Sequence, residues 1–92
     1  LEGREGYRYE LRYIRDKEGR EVDFVILKEG EIEELIEAKY ANEELSKSLM
    51  YYSKRLKPNR STQIVASMRR EYDKNGINVT NPISYFGHFF KS

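Results

Sequence analysis

The stretch Glu21-Val22-Asp23-Phe24-Val25-Ile26-Leu27, followed by a turn at Gly30 and then by Leu35-Ile36-Glu37-Ala38-Lys39-Tyr40, decides how the chain reads. Both halves are apolar runs of strand length, rich in β-branched and aromatic residues. Joined through Lys28-Glu29-Gly30 they form an antiparallel hairpin. Three charged side chains, Asp23, Glu37 and Lys39, sit inside these runs. Stripping water from a carboxylate is costly unless the group is paired or bound to a metal. Charges in such places therefore need a chemical reason.

Working outward, Tyr7 to Arg15 alternates, with Tyr7, Tyr9, Leu11 and Tyr13 at period two and Arg8, Glu10 and Arg12 between them. This predicts a strand with one buried face, closed by a turn at Asp16-Lys17-Glu18-Gly19. The third strand is predicted from about Ile32 to Ala41. A helix follows, capped by Asn42, with Glu43 and Glu44 in its first turn and Leu45, Leu49, Tyr52 and Leu56 along one stripe. Lys54, Arg55 and Lys57 suit the negative end of its dipole, and Pro58 stops it. Ser61 to Met68 then reads as a buried strand, parallel to the third through a right-handed crossover. Arg69 to Gly76 reads as a polar loop, and Ile77-Asn78-Val79 as a short fifth strand. Pro82 to Phe90 is an aromatic closing turn or helix, with Tyr85, Phe86, His88, Phe89 and Phe90 covering a sheet edge or a partner domain. The expected class is α/β: a three-strand antiparallel meander, a helix, then a parallel fourth strand in one mixed sheet.

Ninety-two residues make one small domain, 38% hydrophobic and 36% charged, with a core only marginally sufficient. With no cysteine, disulfides and zinc–thiolate sites are excluded; with one histidine, so is a histidine metal cluster. Any metal is then a hard cation held by oxygen. Net charge is +1, so attraction to nucleic acid must come from local clusters such as Lys54, Arg55, Lys57 and Arg60. No apolar run approaches membrane-spanning length and no secretory signal opens the chain, giving an expected cytoplasmic location. Few Met and many Lys and Glu resemble a heat-adapted intracellular protein. The opening Leu1-Glu2-Gly3 reads as a fragment of something longer, and residues 1–6 as a polar leader.

Side chains two apart on a strand share a face, so Glu37 and Lys39 project together. If Leu27 pairs with Glu31, Asp23 lies opposite Leu35 and diagonal to Glu37, at roughly 7–8 Å, within reach of a shared cation. A slip of one residue would put the two carboxylates on opposite faces. Mg²⁺ (or Mn²⁺) on Asp23, Glu37 and the Ala38 carbonyl could neutralise a phosphate and lower the pKa of a bound water. Lys39 could orient that water or stabilise developing charge. The plainer alternative is an exposed sheet face bearing a Glu–Lys pair. For Lys54, Arg55, Lys57 and Arg60, phosphate contact stands beside simple dipole compensation.

Asp, a hairpin, then Glu-x-Lys at the end of an apolar strand, then a helix, resembles the PD-(D/E)xK, or restriction-endonuclease-like, nuclease superfamily. Arg15-Asp16-Lys17-Glu18-Gly19-Arg20-Glu21-Val22-Asp23-Phe24-Val25 with Ile36-Glu37-Ala38-Lys39 is closer still to the DUF4143 domain that ends many archaeal and bacterial AAA-type ATPases. The resemblance implies Asp23, Glu37 and Lys39 as catalytic residues, DNA as substrate, and an N-terminal ATPase domain in cis. It also implies a place near the metal for Gln63. Nuclease members carry a further acidic residue on a helix before the first strand, for which Glu10 is the nearest counterpart. A catalytically inactive module that docks the ATPase to a partner or to DNA is the alternative, as is self-association into a homo-oligomer through Pro82 to Phe90.

Overall fold

The computed structural model describes residues 8–41 and 44–90, the last three by backbone alone. The roles assigned to the leader, Tyr7, Asn42, Glu43 and the side chains of His88, Phe89 and Phe90 lie outside the described residues. The elements are β1 (Tyr9–Arg15), β2 (Glu21–Lys28), β3 (Glu31–Lys39), α1 (Lys47–Leu56), β4 (Arg60–Val65), β5 (Tyr72–Lys74), β6 (Ile77–Thr80) and α2 (Pro82–Phe90). They build one mixed six-stranded sheet in the order β1-β2-β3-β4-β6-β5. The predicted meander is present, and β4 runs parallel to β3 as the crossover requires. Among the described residues no helix is long and apolar enough to cross a membrane.

The sheet separates two faces. On one, Val22, Val25, Leu35, Val65, Ile77 and Val79 pack with Leu49 of α1 into the core. The other carries Glu34, Thr62 and Thr80, and α2 lies over its β4 side. The β1–β2 turn ties α1 to the sheet: Asp16 accepts from the Tyr52 hydroxyl at 2.5 Å and from Arg20 Nε at 2.9 Å. The Arg20 guanidinium lies 3.8 Å from the centre of the Tyr51 ring.

Several boundaries differ from expectation. The helix is capped by Ser46, whose Oγ accepts the Leu49 N–H at 3.1 Å, and no acidic residue occupies its first turn. β3 ends at Lys39 and α1 begins only at Lys47, directly after Ser46. At the far end Lys57 takes the left-handed C-cap conformation, φ 49°, just before Pro58, where the pattern had placed the stop. The supposed polar loop after β4 contains β5, which pairs with β6 through Asn75-Gly76. Both of these turn residues have positive φ, as a two-residue hairpin demands.

β1 is the larger correction. Its Tyr9-Leu11-Tyr13 stripe was expected to be buried, yet Leu11 is 59% and Tyr13 73% exposed. β1 is the edge of the sheet, and among the described residues α2 packs on that face against β4.

Candidate functional site

The β2–β3 hairpin holds the charged residues through two irregularities. Its turn is the two-residue Glu29-Gly30, so Lys28 pairs with Glu31 and Leu27 with Ile32, not with Glu31 as expected. Continued evenly, that register would set Asp23 opposite Ile36, with its side chain on the other face from Glu37. A shift between Ile26 and Leu27 leaves Glu33 as an extra residue, after which Ile26 pairs with Glu34 and Phe24 with Ile36. One step further on, the shifted register would bring Asp23 abreast of Glu37, and the two charges are close enough to interact. Toward β1 the register shifts again, with Asp23 and Phe24 together spanning the single residue Tyr13. Bulges of this kind re-aim side chains. This one lets Val22 and Val25, three apart, both face the core.

The Asp23 Oδ2 accepts the Ala38 N–H at 2.9 Å. A strand residue turns its N–H and C=O to the same side, so the Ala38 carbonyl is also directed toward β2. Glu37 is half-buried, and its Oε1 is buried without a hydrogen-bond partner. Burial raises the Glu37 pKa above its ordinary value; a hydrogen bond from Ser46 lowers it, the charge of Asp23 raises it, and Lys39 lowers it. The Lys39 ammonium donates to the Glu44 carbonyl at 3.2 Å. Asp23, Glu37, Ala38 and Lys39 thus meet at one place, the carboxyl end of a strand in an open α/β sheet, where such folds place ligands.

Gln63 is register partner to Glu37 on β4 and fully buried. Its amide is occupied: Oε1 accepts the Ser46 N–H at 2.8 Å and Nε2 donates to the Glu44 carbonyl at 2.9 Å. It therefore braces the segment that roofs the site. Glu10 lies elsewhere, paired across the sheet with Leu27 and bonded to Arg12 at 2.9 Å. Among the described residues no three Asp, Glu or His side chains gather as a metal-ligand set. Two carboxylates, one with an unpartnered buried oxygen, and a backbone carbonyl are the oxygen donors at hand, and they fit a hard cation completed by water.

The basic residues gather at the other end of α1. Ten residues of helix separate Ser46 from Lys57, a distance of about 15 Å. Lys54 and Arg60 line one cleft of about 770 Å³ together with Lys47 and Tyr51. Arg55 leans over the Tyr51 ring at 5.2 Å, and Lys57 caps the helix. Arg60 is neutralised by Glu33 at 3.1 Å and Glu34 at 3.3 Å.

Two residues escaped the sequence reading. Ser46 joins the helix cap to Glu37, and a serine ahead of the apolar helical stripe was the available signal. Glu34 is 1% exposed and accepts from Thr62 at 2.6 Å, Tyr85 at 3.1 Å and Arg60 at 3.3 Å. Nothing in Glu31-Ile32-Glu33-Glu34 marks which carboxylate is buried. No curated protein and no solved structure matches the chain. Residues 2–86 match the family described as a domain of unknown function, DUF4143, and the chain belongs to that family.

Proposed function

We propose that this domain is a metal-dependent nuclease module of the PD-(D/E)xK kind, carried by an ATPase in cis and cleaving DNA phosphodiesters. The observation that carries the reading is the buried, unpartnered Glu37 Oε1 beside Asp23. An orphaned carboxylate oxygen in a native fold calls for a cation or an ordered water. Asp23, Glu37 and the Ala38 carbonyl would hold Mg²⁺ or Mn²⁺, which when bound supplies Lewis acidity and an acidified water. Lys39, tethered to the Glu44 carbonyl at the rim, offers a positive donor to a phosphate oxygen or to the attacking water. Lys54 and Lys57, about 15 Å away along α1, would track the nucleic-acid backbone.

Mn²⁺ titration of the 92-residue chain tests the metal, and nicking of duplex and branched DNA with Mg²⁺ tests the chemistry. A rise in melting temperature with Mn²⁺ that Glu37→Gln abolishes supports the site, as does cleavage lost in Asp23→Asn. Cleavage that persists in both variants would sink the assignment.

A second reading is a non-catalytic docking module. Its specific support is the outer side of α2, where Ile83 is 86% and Phe86 50% exposed. A chain that ignores Mn²⁺, cuts nothing and loses partner capture on Ile83→Lys belongs to that class.

A further inference from the structure

The sheet has two edges of different character. β5, with three residues, is short enough to resist pairing with another chain. β1 has seven, and among the described residues no strand pairs with its outer side. The Glu29 N–H donates to the Arg8 carbonyl at 2.8 Å, and the Arg8 N–H donates to Glu29 Oε1 at 3.0 Å, so the main-chain groups of Arg8 face β2. Strand alternation then turns the N–H and C=O groups of Tyr9, Leu11 and Tyr13 outward, away from the sheet.

About Leu11 this edge is symmetric in its tyrosines and opposite in its charges: Tyr9-Glu10-Leu11-Arg12-Tyr13. We propose that two copies of this chain pair antiparallel through β1, about a twofold axis at Leu11, joining two sheets into one. In that register the outward amides of Leu11 meet those of Leu11 in the second copy, and those of Tyr9 meet those of Tyr13. Glu10 falls directly opposite Arg12 of the second copy, and Arg12 opposite Glu10, in the closer, non-hydrogen-bonded pairs. Within one copy Arg12 already bonds Glu10 at 2.9 Å, so association extends an existing pair into a four-charge ladder.

On the opposite face, Leu11 at 59% and Tyr13 at 73% exposure gain cross-strand partners, with Phe24 of β2 alongside. Neighbouring twofold registers fail on charge: centring on Glu10 or on Arg12 sets like charges face to face. Edges that stay single usually carry charges that repel a second copy; these attract one. The interface is isologous and closes at two copies.

Sedimentation equilibrium of the chain across a concentration series tests the proposal. The parent is expected to dimerise, with Glu10→Arg and Arg12→Glu each weakening it by about tenfold. An equimolar mixture of the two variants recovers association as a heterodimer, because both facing pairs are then opposite in charge. Circular dichroism checks that each variant is folded. Because the chain has no native cysteine, Leu11→Cys gives an independent readout: under mild oxidation it forms a disulfide-linked dimer. A parent that sediments as a monomer throughout overturns the proposal. So does a dimer indifferent to both charge reversals, which would use another surface such as Ile83 and Phe86. Failure of the Leu11→Cys chain to cross-link overturns it even if a charge variant misfolds.

Discussion

Asp23 Oδ2 accepts the amide N–H of Ala38 at 2.9 Å, so this carboxylate stands where a strand carbonyl would stand in an unbroken ladder. The residue is thereby both a piece of sheet and a donor to the site. The two roles separate by substitution. Asp23→Ala leaves the Ala38 N–H without its acceptor and is expected to cost about 1 kcal/mol. Asp23→Asn keeps an amide oxygen in place and is expected to melt near the parent while losing the response to Mn²⁺. Paired urea unfolding and Mn²⁺ titration check both statements.

Glu37 gives a pH signature. Burial is the largest influence on it, and its net effect with the neighbouring charges is a pKa above the ordinary 4.5. The folded state then holds the proton more tightly than the unfolded chain. The resulting stability is fully present below the unfolded value and is lost as pH rises through the higher folded one. Glu37→Gln, which cannot ionise, is expected to melt with the parent below about pH 4 and about 2 °C above it at pH 7. Thermal melts between these limits read the difference, and saturating Mn²⁺ is expected to reverse its sign.

The Glu34 cluster bears on stability and on the seating of α2. A buried carboxylate bonded to Thr62, Arg60 and Tyr85 ties β3, β4 and α2 together. The Tyr85 hydroxyl is pushed up from its ordinary value by burial and by the charge of Glu34, which keeps it a proton donor. Glu34→Ala is expected to cost about 3 kcal/mol, since it removes the buried acceptor shared by Thr62, Tyr85 and Arg60, of which Arg60 keeps Glu33. Tyr85→Phe is expected to cost about 1 kcal/mol. Denaturant titration gives both values, and proteolysis between Asn81 and Ile83 reports whether α2 has come loose.

Ser46 couples the helix to the site. Its hydroxyl oxygen accepts the Leu49 N–H at 3.1 Å and its hydroxyl also bonds Glu37. Ser46→Ala is expected to cost about 1 kcal/mol through the lost cap. It is also expected to move the Glu37 titration further upward, because the Ser46 bond favours the ionised form. Carbon-detected NMR titration of the Glu37 carboxyl resolves the second effect from the first.

The meander was legible because Gly19 and Gly30 punctuate one alternating run and two apolar runs of strand length, and β4 because Ile64-Val65 follows a proline-terminated helix. The bulge residue Glu33 was not, since an extra residue in a strand has no compositional mark. The expected register was off by two residues from that observed beside Asp23, so Asp23 reaches the Glu37-Ala38 segment through a pairing other than the one supposed. The exposed face of β1 was hidden for a different cause: alternation shows that a strand has two unlike sides, but not whether anything covers either. β5 was missed because Tyr72-Asp73-Lys74 is polar throughout, although Asn75-Gly76 is a strong hairpin signal. The burial of Glu34 depends on Thr62 and Tyr85, 28 and 51 residues away, a separation no local pattern reports.

The buried amide of Gln63 holds the Ser46 N–H and the Glu44 carbonyl, and Lys39 reaches the same carbonyl. A connection over the end of a sheet would ordinarily trade its amide hydrogens with solvent quickly, through small local openings. Here the Ser46 amide is bonded to a β4 side chain, so its exchange is expected to slow to the rate at which β4 itself opens. Gln63→Ala uncouples the two, and deuterium uptake at Ser46 should then accelerate while the β4 amides keep their pace. In the native chain, the wall beside Glu37 moves only when the sheet does.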